Sequence, residues 1–546
     1  MIAATVLALG VRLFTLSRPG FLTQSTEYDD GVYLGAAIRL TQGVMPYKDF
    51  AFVQPPGILL LMSPVALFAR VTSTVAGLAL ARILTALASA ACVPLAGNLV
   101  RFRGTLVTAL TCFILAIYPA DIATAHTLLL EPWMNLLVLI AANLAFSSGR
   151  VSSSAKRLAG AGVLIGFAGV VKFWSGAPAV VLLVIVVLAC RTEAQHGAPH
   201  GAQHGTPHRW RRLVAYLSGL VAAFVVPLLP FALSAPGTFL RSTISYQAAR
   251  TGTSVPLSER LAHITGVIDV LDYWGRITLT AGSNSVFGQA VDADTTPTSP
   301  HALPFVAFGL LIVIVAAGYV LARRTLTQVE WFALATCVAA LAAILGYSAF
   351  FYHYPAFPGP WLAIVAGVSL ATLIGRAAAA WHQLPVRQAA VGVVGLVLAF
   401  ACVLQLAEVS GLATPKGASQ ISSLIPPGAC VLTDETALVI AANRFETTDP
   451  GCPVVIDSLA TTLVLAHGQS IQAGANYNGP AVAAWKAMLL KAQYVWLSPN
   501  YRRRLPFNFG TAQWTWFTGH FRQIAPNPNG QRNWILGIGQ LFVRRS

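Results

Sequence analysis

Two adjacent carboxylates, Asp29 and Asp30, stand near the start of a chain in which only 10% of the residues are charged. They belong to the stretch TEYDDGVYLGAAIRLTQGVMPYKDFAFVQPPG, residues 26–57. One apolar face across residues 31–40 predicts a short helix, which places both aspartates at its N-terminus. An Asp there can cap the helix, but successive side chains diverge, so two neighbours cannot both do so. The other carboxylate is a candidate for acid–base chemistry or for binding a metal ion.

Three further places combine polar and aromatic side chains that could act with these aspartates. His126 and Glu131 occur in HTLLLEPWMN, Lys172 follows the apolar run GVV, and His353 and Tyr354 occur in YHYPAF. The topology derived below places all of these groups on one side of a membrane. Such a face suits a phosphate-bearing substrate, because a cation stabilises a departing phosphate and a carboxylate accepts a proton.

Each of these residues also has an ordinary structural explanation. Glu131 precedes Pro132 and could begin a helix by satisfying free backbone N–H groups. Lys172 could extend its ammonium to the lipid headgroups, and the aromatic group at 352–354 could belong to an interfacial belt. The shared face, rather than any one residue, favours a functional site.

The composition indicates an α-helical polytopic membrane protein. The chain of 546 residues is 56% hydrophobic and has a mean hydropathy of +0.67. Most of it divides into apolar runs of roughly 15 to 23 residues, the length that spans a bilayer as helix. The formal charge of +16 could suggest a nucleic-acid partner, but the basic residues lie between apolar runs. Membrane topology explains them better, so no nucleic acid is expected as a partner.

The positive-inside rule orients about eleven predicted spans. Lys and Arg concentrate in the loops on the side of Met1, which makes that side, with the N-terminus, cytoplasmic. Residues 1–16 lack the features of a cleaved signal and are interpreted as a retained first span. Gly57 to Val71 is interpreted as an interfacial helix. The predicted spans lie near residues 2–17, 76–99, 105–120, 131–147, 158–171, 174–190, 213–233, 302–322, 329–349, 358–375 and 389–409.

Two domains are predicted from the change in composition near residue 411. Residues 1–410 form the membrane module, with a first outer loop at 18–75 and a second long outer loop at 235–300. Residues 411–546 form a small extracytoplasmic α/β domain, with buried strands predicted at 429–434, 453–457 and 494–497. Cys430 and Cys452 are the two cysteines of this tail, and a disulfide between them would place it in an oxidising compartment.

The four polar places, taken with their neighbours, resemble the GT-C membrane glycosyltransferases. The motifs are YDDGVYLGAAIRLTQGVMPYKDFAFVQPPG, HTLLLEPW, GFAGVVKF and YHYPAFPGP. The nearest branch is that of the bacterial relatives of protein O-mannosyltransferases and aminoarabinose transferases, similar to glycosyltransferase family 39. The resemblance implies inverting transfer of a sugar from a polyprenyl-phosphate donor to an acceptor hydroxyl at the outer face of the cytoplasmic membrane.

The resemblance also implies roles for individual residues. Asp29 matches the acidic residue that acts as catalytic base, Asp30 its acidic neighbour, and Glu131 the acid of the second outer loop. Lys172 is placed to hold the donor phosphate. Gln54 stands where the aminoarabinose branch has a Glu-Lys pair, which argues against that donor. The residues assigned to substrate binding are Asp30, Gln54, His126, Glu131, Lys172, His353 and Tyr354.

Cofactor and partners follow from the same chemistry. A divalent cation, Mg²⁺, Mn²⁺ or Ca²⁺, could lie between Asp30, Glu131 and phosphate oxygens, because such ions prefer hard oxygen ligands. Some members of the family work without a metal. The expected partners are the polyprenyl-phosphate sugar, membrane lipid, and an acceptor that is a glycan, a lipid or a protein. The Ala-rich, Lys-poor composition suggests a bacterium.

Two other functions fit a polytopic protein with buried charges. A transporter or lipid flippase predicts polar residues near the middle of spans and broken helices related by an internal repeat. Here the polar candidates gather at the outer ends of spans, and the sequence shows no repeat. A non-catalytic scaffold that presents the C-terminal domain leaves the aspartate pair unexplained. The sequence therefore favours a transferase.

Overall fold

The computed structural model of the protein describes residues 1–195, 205–248, 255–267, 302–380, 384–411, 418–471, 473–507, 511–525 and 539–545. Much of the predicted outer loop at 235–300 and the predicted domain boundary near residue 411 lie outside these residues. Helices dominate the part of the chain that is described.

The helices follow the apolar runs of the sequence. Those of the first half are α1 (Ile2–Ser17), α2 (Tyr28–Thr41), α3 (Gly57–Val71), α4 (Thr74–Val100), α5 (Thr105–Ala116), α6 (Pro119–Ala125), α7 (Leu130–Ala145), α8 (Ala155–Val171), α9 (Gly176–Gln195), α10 (Gly205–Ser234), α11 (Pro236–Leu240), α12 (Tyr246–Ala248) and α13 (Leu257–Thr265). Those of the second half are α14 (Leu303–Ala322), α15 (Gln328–Gly346), α16 (Gly359–Ala380), α17 (Leu384–Gly411), α18 (Ala418–Ser422), α19 (Thr436–Ala441), α20 (Ser458–Leu465), α21 (Gly479–Lys491) and α22 (Ala512–His520).

Seven described helices are long and apolar enough to cross a membrane, which makes this a multi-pass membrane protein. They are α4, α9, α10, α14, α15, α16 and α17. The other predicted spans correspond to the shorter helices α1, α7 and α8 and to the pair α5 and α6, which bends by 52° at its break. The predicted number of eleven spans stays a prediction.

The chain divides into two compact units, each described here by itself. Unit 1 comprises residues 1–15, 85–227 and 253–412. Within it, α8 packs closely on α10, because a Cβ at Gly162 or Gly166 would overlap backbone atoms of Tyr216 or Leu220. Small residues that let helix backbones approach are typical of packing in membranes, where helices gain little from burying apolar surface against each other.

Unit 2 comprises residues 16–84, 228–252 and 413–546, so it combines the predicted first outer loop with the C-terminal segment. The predicted helix near the aspartates is present as α2. It ends just before Gly43, whose φ of 82° is the left-handed conformation that glycine adopts readily. Its N-cap residue is Glu27, whose carboxylate accepts a hydrogen bond from the amide of Tyr28. Asp29 and Asp30 therefore lie in the first turn rather than at the N-cap.

The C-terminal segment of unit 2 contains a four-stranded sheet in the order β3-β4-β6-β5. Strands β3 (Val431–Thr433) and β4 (Tyr494–Leu497) are parallel, and β6 (Gln540–Arg544) pairs antiparallel with both β4 and β5 (Phe521–Ala525). Strands β1 (Phe146–Ser147) and β2 (Arg150–Val151) form a separate hairpin in unit 1. Trp485, Val495 and Phe542 lie in the apolar core beside the four-stranded sheet.

One predicted strand of this segment is wrong. Residues 453–457 form no strand, although β3 and β4 occur where strands were expected at 429–434 and 494–497. Pro453 has no N–H to donate to a sheet, and Asp457 caps α20 by accepting a hydrogen bond from the amide of Ala460. A disulfide joins Cys430 to Cys452, with a Cα–Cα distance of 5.5 Å.

Candidate functional site

The first group of candidate residues surrounds Glu131 in unit 1. Glu131 lies in the first turn of α7, where a carboxylate is stabilised by the positive end of the helix dipole. Lys172 follows the last residue of α8 in extended conformation, and its ammonium donates a hydrogen bond to Glu131 Oε1. His353 Nδ1 lies 2.9 Å from the same oxygen. The Glu131 side chain is fully excluded from solvent, so one carboxylate oxygen is shared by two nitrogen groups in a buried setting.

Aromatic rings enclose the Lys172 ammonium. Its Nζ lies 4.0 Å from the ring centroid of Trp174 and 4.8 Å from that of Tyr354. These two rings meet edge to face at 4.4 Å between centroids. Cation–π attraction is stronger where water is excluded, so the rings help to hold the ammonium in place. We call Glu131, Lys172, His353, Trp174 and Tyr354 the Glu131 cluster.

The cluster can bind an anion without losing its internal ion pair. An ammonium has three N–H donors, so Lys172 can hold Glu131 and a phosphate oxygen at the same time. Glu131 Oε2 is buried and accepts no hydrogen bond from the described residues. A buried acceptor of this kind costs free energy unless a donor reaches it, which a hydroxyl-rich ligand can provide.

The second group of candidates, Asp29 and Asp30, belongs to unit 2. Asp30 is fully excluded from solvent and forms an ion pair with Arg82 of α4, at 2.5 Å between Asp30 Oδ2 and Arg82 Nη2. Asp29 is partly exposed, and its Oδ2 accepts a hydrogen bond of 3.2 Å from the hydroxyl of Tyr33, one helical turn further on. The two neighbouring carboxylates therefore differ in environment: one is enclosed in an ion pair and the other reaches solvent.

Gln54 follows a tightly held loop of unit 2. Tyr47 has a φ of 68°, a conformation that non-glycine residues rarely adopt, and its hydroxyl donates to the backbone carbonyl of Gln54 at 2.5 Å. The Tyr47 ring packs edge to face on Phe52 and Phe239, at centroid distances of 5.8 and 5.0 Å. The loop before the two prolines is thus fixed by Tyr47 and Phe52 together with Phe239 of α11, and Gln54 itself is half-buried.

The structure thus brings some of the predicted residues together. Glu131, Lys172, His353 and Tyr354 form one cluster in unit 1, where His126 is buried at the C-terminal end of α6. Their roles in substrate binding stay predictions.

The sequence did not single out Arg82 or Trp174. Arg82 lies inside an apolar span, and a charge at that depth is itself a signal of a buried partner. Trp174 gives no signal of its own beyond its position two residues after Lys172.

Asp30 and Glu131 are the predicted ligands of a divalent cation. Each instead binds a cationic side chain within its own unit, Arg82 for Asp30 and Lys172 for Glu131. Across the described ranges, no group of three or more His, Cys, Asp or Glu side chains is arranged to hold a metal ion. Each carboxylate is thus charge-paired within its own unit, and the divalent cation stays a prediction.

Comparison with solved structures finds the same fold in two proteins that were solved with a lipid phosphate. ArnT from Cupriavidus metallidurans, solved bound to undecaprenyl phosphate, is 16% identical, with 99% of this chain and 97% of that chain covered and a TM-score of 0.54. The archaeal oligosaccharyltransferase AglB from Archaeoglobus fulgidus, solved with an inhibitory peptide and a dolichol-phosphate, is 12% identical, with 91% and 69% covered and a TM-score of 0.50. No protein-family model matches the sequence, and comparison with curated proteins gave no match.

The chain therefore has the same fold as these two proteins. At the level of the fold, this agrees with the resemblance drawn from the sequence. At these identities the likeness establishes the fold, and the reaction has to be argued from the residues of this chain.

Proposed function

We propose that the protein is an inverting glycosyltransferase that moves a sugar from a polyprenyl-phosphate donor to an acceptor hydroxyl at the outer face of the bacterial cytoplasmic membrane. The observation that carries the proposal is the contrast between the two neighbouring carboxylates on a GT-C fold. Asp30 is enclosed with Arg82, whereas Asp29 reaches solvent and is oriented by Tyr33. A general base must be able to contact its substrate. Of the two aspartates, only Asp29 is exposed enough to do so.

Asp29 accepts the proton of the acceptor hydroxyl in the proposed reaction. The acceptor oxygen then bonds to the anomeric carbon, while the bond between that carbon and the phosphate oxygen breaks. The bonding electrons leave with the phosphate, which is released as polyprenyl phosphate. A single displacement of this kind inverts the configuration at the anomeric carbon.

Lys172 supplies positive charge to the departing phosphate. Negative charge on the phosphate increases as the bond to the sugar breaks, so a fixed ammonium stabilises the transition state more than the ground state. Glu131 and the rings of Trp174 and Tyr354 hold the ammonium in place, so little reorganisation is needed during the reaction. The solved relatives support a lipid phosphate as the group bound, since ArnT was solved with undecaprenyl phosphate and AglB with a dolichol-phosphate.

The predicted topology and the disulfide support the outer face. The basic loops assign the Met1 side to the cytoplasm, and the C-terminal segment to the opposite side. A bond between Cys430 and Cys452 suits an oxidising, extracytoplasmic compartment. A reporter fused after Ser546 tests the orientation, and cytoplasmic activity of the reporter would contradict it.

The reaction is tested with purified protein in lipid nanodiscs and a panel of polyprenyl-phosphate sugars, with a membrane extract as the source of acceptor. We expect release of polyprenyl phosphate from at least one donor. Asp29→Asn is the matched impaired variant, and it should bind donor but release lipid phosphate about 10²–10⁴-fold more slowly. Transport of a donor across the bilayer with its sugar bond intact would instead support a flippase. Absence of release from every donor, or equal release by Asp29→Asn, would overturn the proposal.

A further inference from the structure

Tyr28, the residue directly before Asp29, is bound by the C-terminal segment of unit 2. Its hydroxyl donates to Asp457 Oδ1 at 2.8 Å and accepts from the backbone N–H of Leu459 at 3.2 Å. Burial and the neighbouring Asp457 carboxylate raise the pKa of the Tyr28 phenol well above its ordinary value of 10.0. The phenol therefore stays neutral and remains a donor to Asp457.

Arg504 completes the enclosure of the Tyr28 ring. Its guanidinium carbon lies 4.3 Å from the ring centroid, within the range of cation–π attraction. Arg504 Nη1 also donates to Glu435 Oε2 and lies 3.5 Å from Asp434 Oδ2. Two carboxylates thus fix the guanidinium over the ring.

The chain just before α2 is bound by the same carboxylate group. The hydroxyl of Ser25 donates to Glu435 Oε1 at 2.6 Å. Glu435 therefore holds Ser25 with one oxygen and Arg504 with the other. Residues on both sides of the N-cap Glu27 are tied to the C-terminal segment.

The first turns of α2 lie directly on the short helix α19. A Cβ at Gly31 would overlap the backbone of Thr436 and Ala437, and one at Gly35 would lie 3.0 Å from Thr436 Cγ2. Glycine at position 31 is therefore required for this close approach. The contact restrains α2 two residues after Asp29.

The disulfide connects the two parts of the segment that hold Tyr28. Cys430 precedes β3, whose end carries Asp434 and Glu435, and Cys452 lies five residues before Asp457. Asp457 is itself fixed as the N-cap of α20. A covalent bond thus limits how far the Glu435 side and the Asp457 side can separate.

We infer that Arg504 and Asp457 are positioning residues for Asp29, and that the C-terminal segment is a working part of the catalytic unit rather than an appended domain. The inference rests on the proposed role of Asp29 as the base. Tyr28 transmits the restraint because it is the covalent neighbour of Asp29. Misplacement of a reacting group by about 1 Å can reduce a rate by about 10²-fold, so a loosened α2 N-terminus slows transfer.

The test combines two measurements on the full-length protein in nanodiscs. Amide hydrogen exchange of a peptide covering residues 24–33 reports on the order of the α2 N-terminus, and steady-state kinetics separates kcat from KM. For Arg504→Ala we expect faster exchange in this peptide and a kcat lowered about 10- to 100-fold, with donor KM within about twofold. Tyr28→Phe keeps the ring under Arg504 but loses the hydrogen bond to Asp457, and should lower kcat about fivefold.

Two further variants distinguish positioning by Arg504 from a general loss of structure. Arg502→Ala changes an exposed arginine two residues away that lies over the ring of Tyr501, and it should leave exchange and kcat unchanged. Arg504→Lys retains a cation beside Glu435 and should recover part of the rate lost in Arg504→Ala. Both results would support positioning by the guanidinium rather than a loss of the whole sheet.

Any other outcome contradicts either the inference or the proposed function. Unchanged exchange in Arg504→Ala overturns the inference whatever the rate, and faster exchange with unchanged kcat overturns it too. If wild-type protein transfers no sugar, the proposed function fails. Hydrogen exchange then still decides whether the C-terminal segment holds α2.

Discussion

Arg82 and Asp30 form an ion pair in which both side chains are completely excluded from solvent, with 2.5 Å between Arg82 Nη2 and Asp30 Oδ2. The same guanidinium donates to the backbone carbonyls of Phe21 and Gln24 and to Thr26 Oγ1. Arg82 therefore fixes the chain that leads into α2, and Asp30 offsets its charge. Through this ion pair, Asp30 stabilises the N-terminal part of α2, next to Asp29.

The first prediction concerns the stability of this pair. Asp30→Ala leaves the buried charge of Arg82 without a counter-charge, which should cost about 3–5 kcal/mol and lower the melting temperature. Thermal melts of purified protein in one detergent measure the loss. Asp49→Ala is the control, since Asp49 is exposed in the loop that follows α2. An Asp30→Ala variant with normal melting but no transfer would show that Asp30 binds substrate instead.

How well the sequence predicted each feature depended on how far apart its contacting residues lie along the chain. Local sequence signals were sufficient to predict α2 and its end before Gly43. The partner of Asp30 lies 52 positions away, inside an apolar helix, and no local pattern indicates that pair. Lys172 and His353 lie 41 and 222 positions from Glu131, and the predicted topology placed them on one face without showing that they share one oxygen.

The sheet shows the same limit. Strand β3 was expected from a run of apolar residues, but residues 453–457 have a similar run and form no strand. Strands β5 and β6 were not predicted, because their sequences FRQIA and QLFVR show no clear alternation of apolar and polar residues.

The second prediction concerns Asp29. Asp29→Asn keeps the shape of the side chain but cannot accept the acceptor proton, so we expect kcat to fall by about 10²–10⁴-fold. Expression, membrane insertion and donor binding should remain normal, because Asp29 is partly exposed. Asp49→Asn is the matched control, in the loop that follows α2, and it should retain full activity. Near-normal turnover by Asp29→Asn would remove Asp29 as the base.

The third prediction concerns the lysine of the Glu131 cluster. Lys172→Met keeps the apolar length of the side chain but removes its charge, and should lower kcat/KM for the donor by about 10²–10³-fold. Binding of polyprenyl phosphate, measured by tryptophan fluorescence or calorimetry, should weaken as well. Lys156→Met serves as control, because it changes an exposed lysine at the start of α8, the helix that Lys172 follows. Unchanged binding and turnover in Lys172→Met would exclude Lys172 as the phosphate ligand.

The fourth prediction concerns the disulfide. Under denaturing conditions without reductant, a maleimide should modify the five free cysteines but not Cys430 or Cys452. Peptide mass spectrometry after reduction should find both newly modified. The double variant Cys430→Ser, Cys452→Ser should lose about 3 kcal/mol of stability, because the unfolded chain is no longer constrained. Modification of both cysteines before reduction would argue against an oxidising compartment for the C-terminal segment.

The fifth prediction concerns the pH dependence of stability. Burial raises the pKa of Asp434 to about 6, although Arg504 and Ser498 oppose the shift. A carboxyl group with a raised pKa in the folded state binds protons more tightly there than in the unfolded chain. Its contribution to folding is fully present below the unfolded pKa and is lost as the pH rises through the folded pKa.

Asp434→Asn cannot titrate, so its melting temperature should change less than that of the wild type between pH about 4 and about 7. Thermal melts followed by tryptophan fluorescence measure this, since Trp485 and Trp496 lie buried in the same segment. Asp449→Asn, a partly exposed aspartate before Cys452, should keep the wild-type pH dependence. The variant also loses a charge near Arg504, so melting temperatures are compared as differences between pH values within each variant. An identical pH difference in Asp434→Asn and wild type would show that Asp434 does not carry the effect.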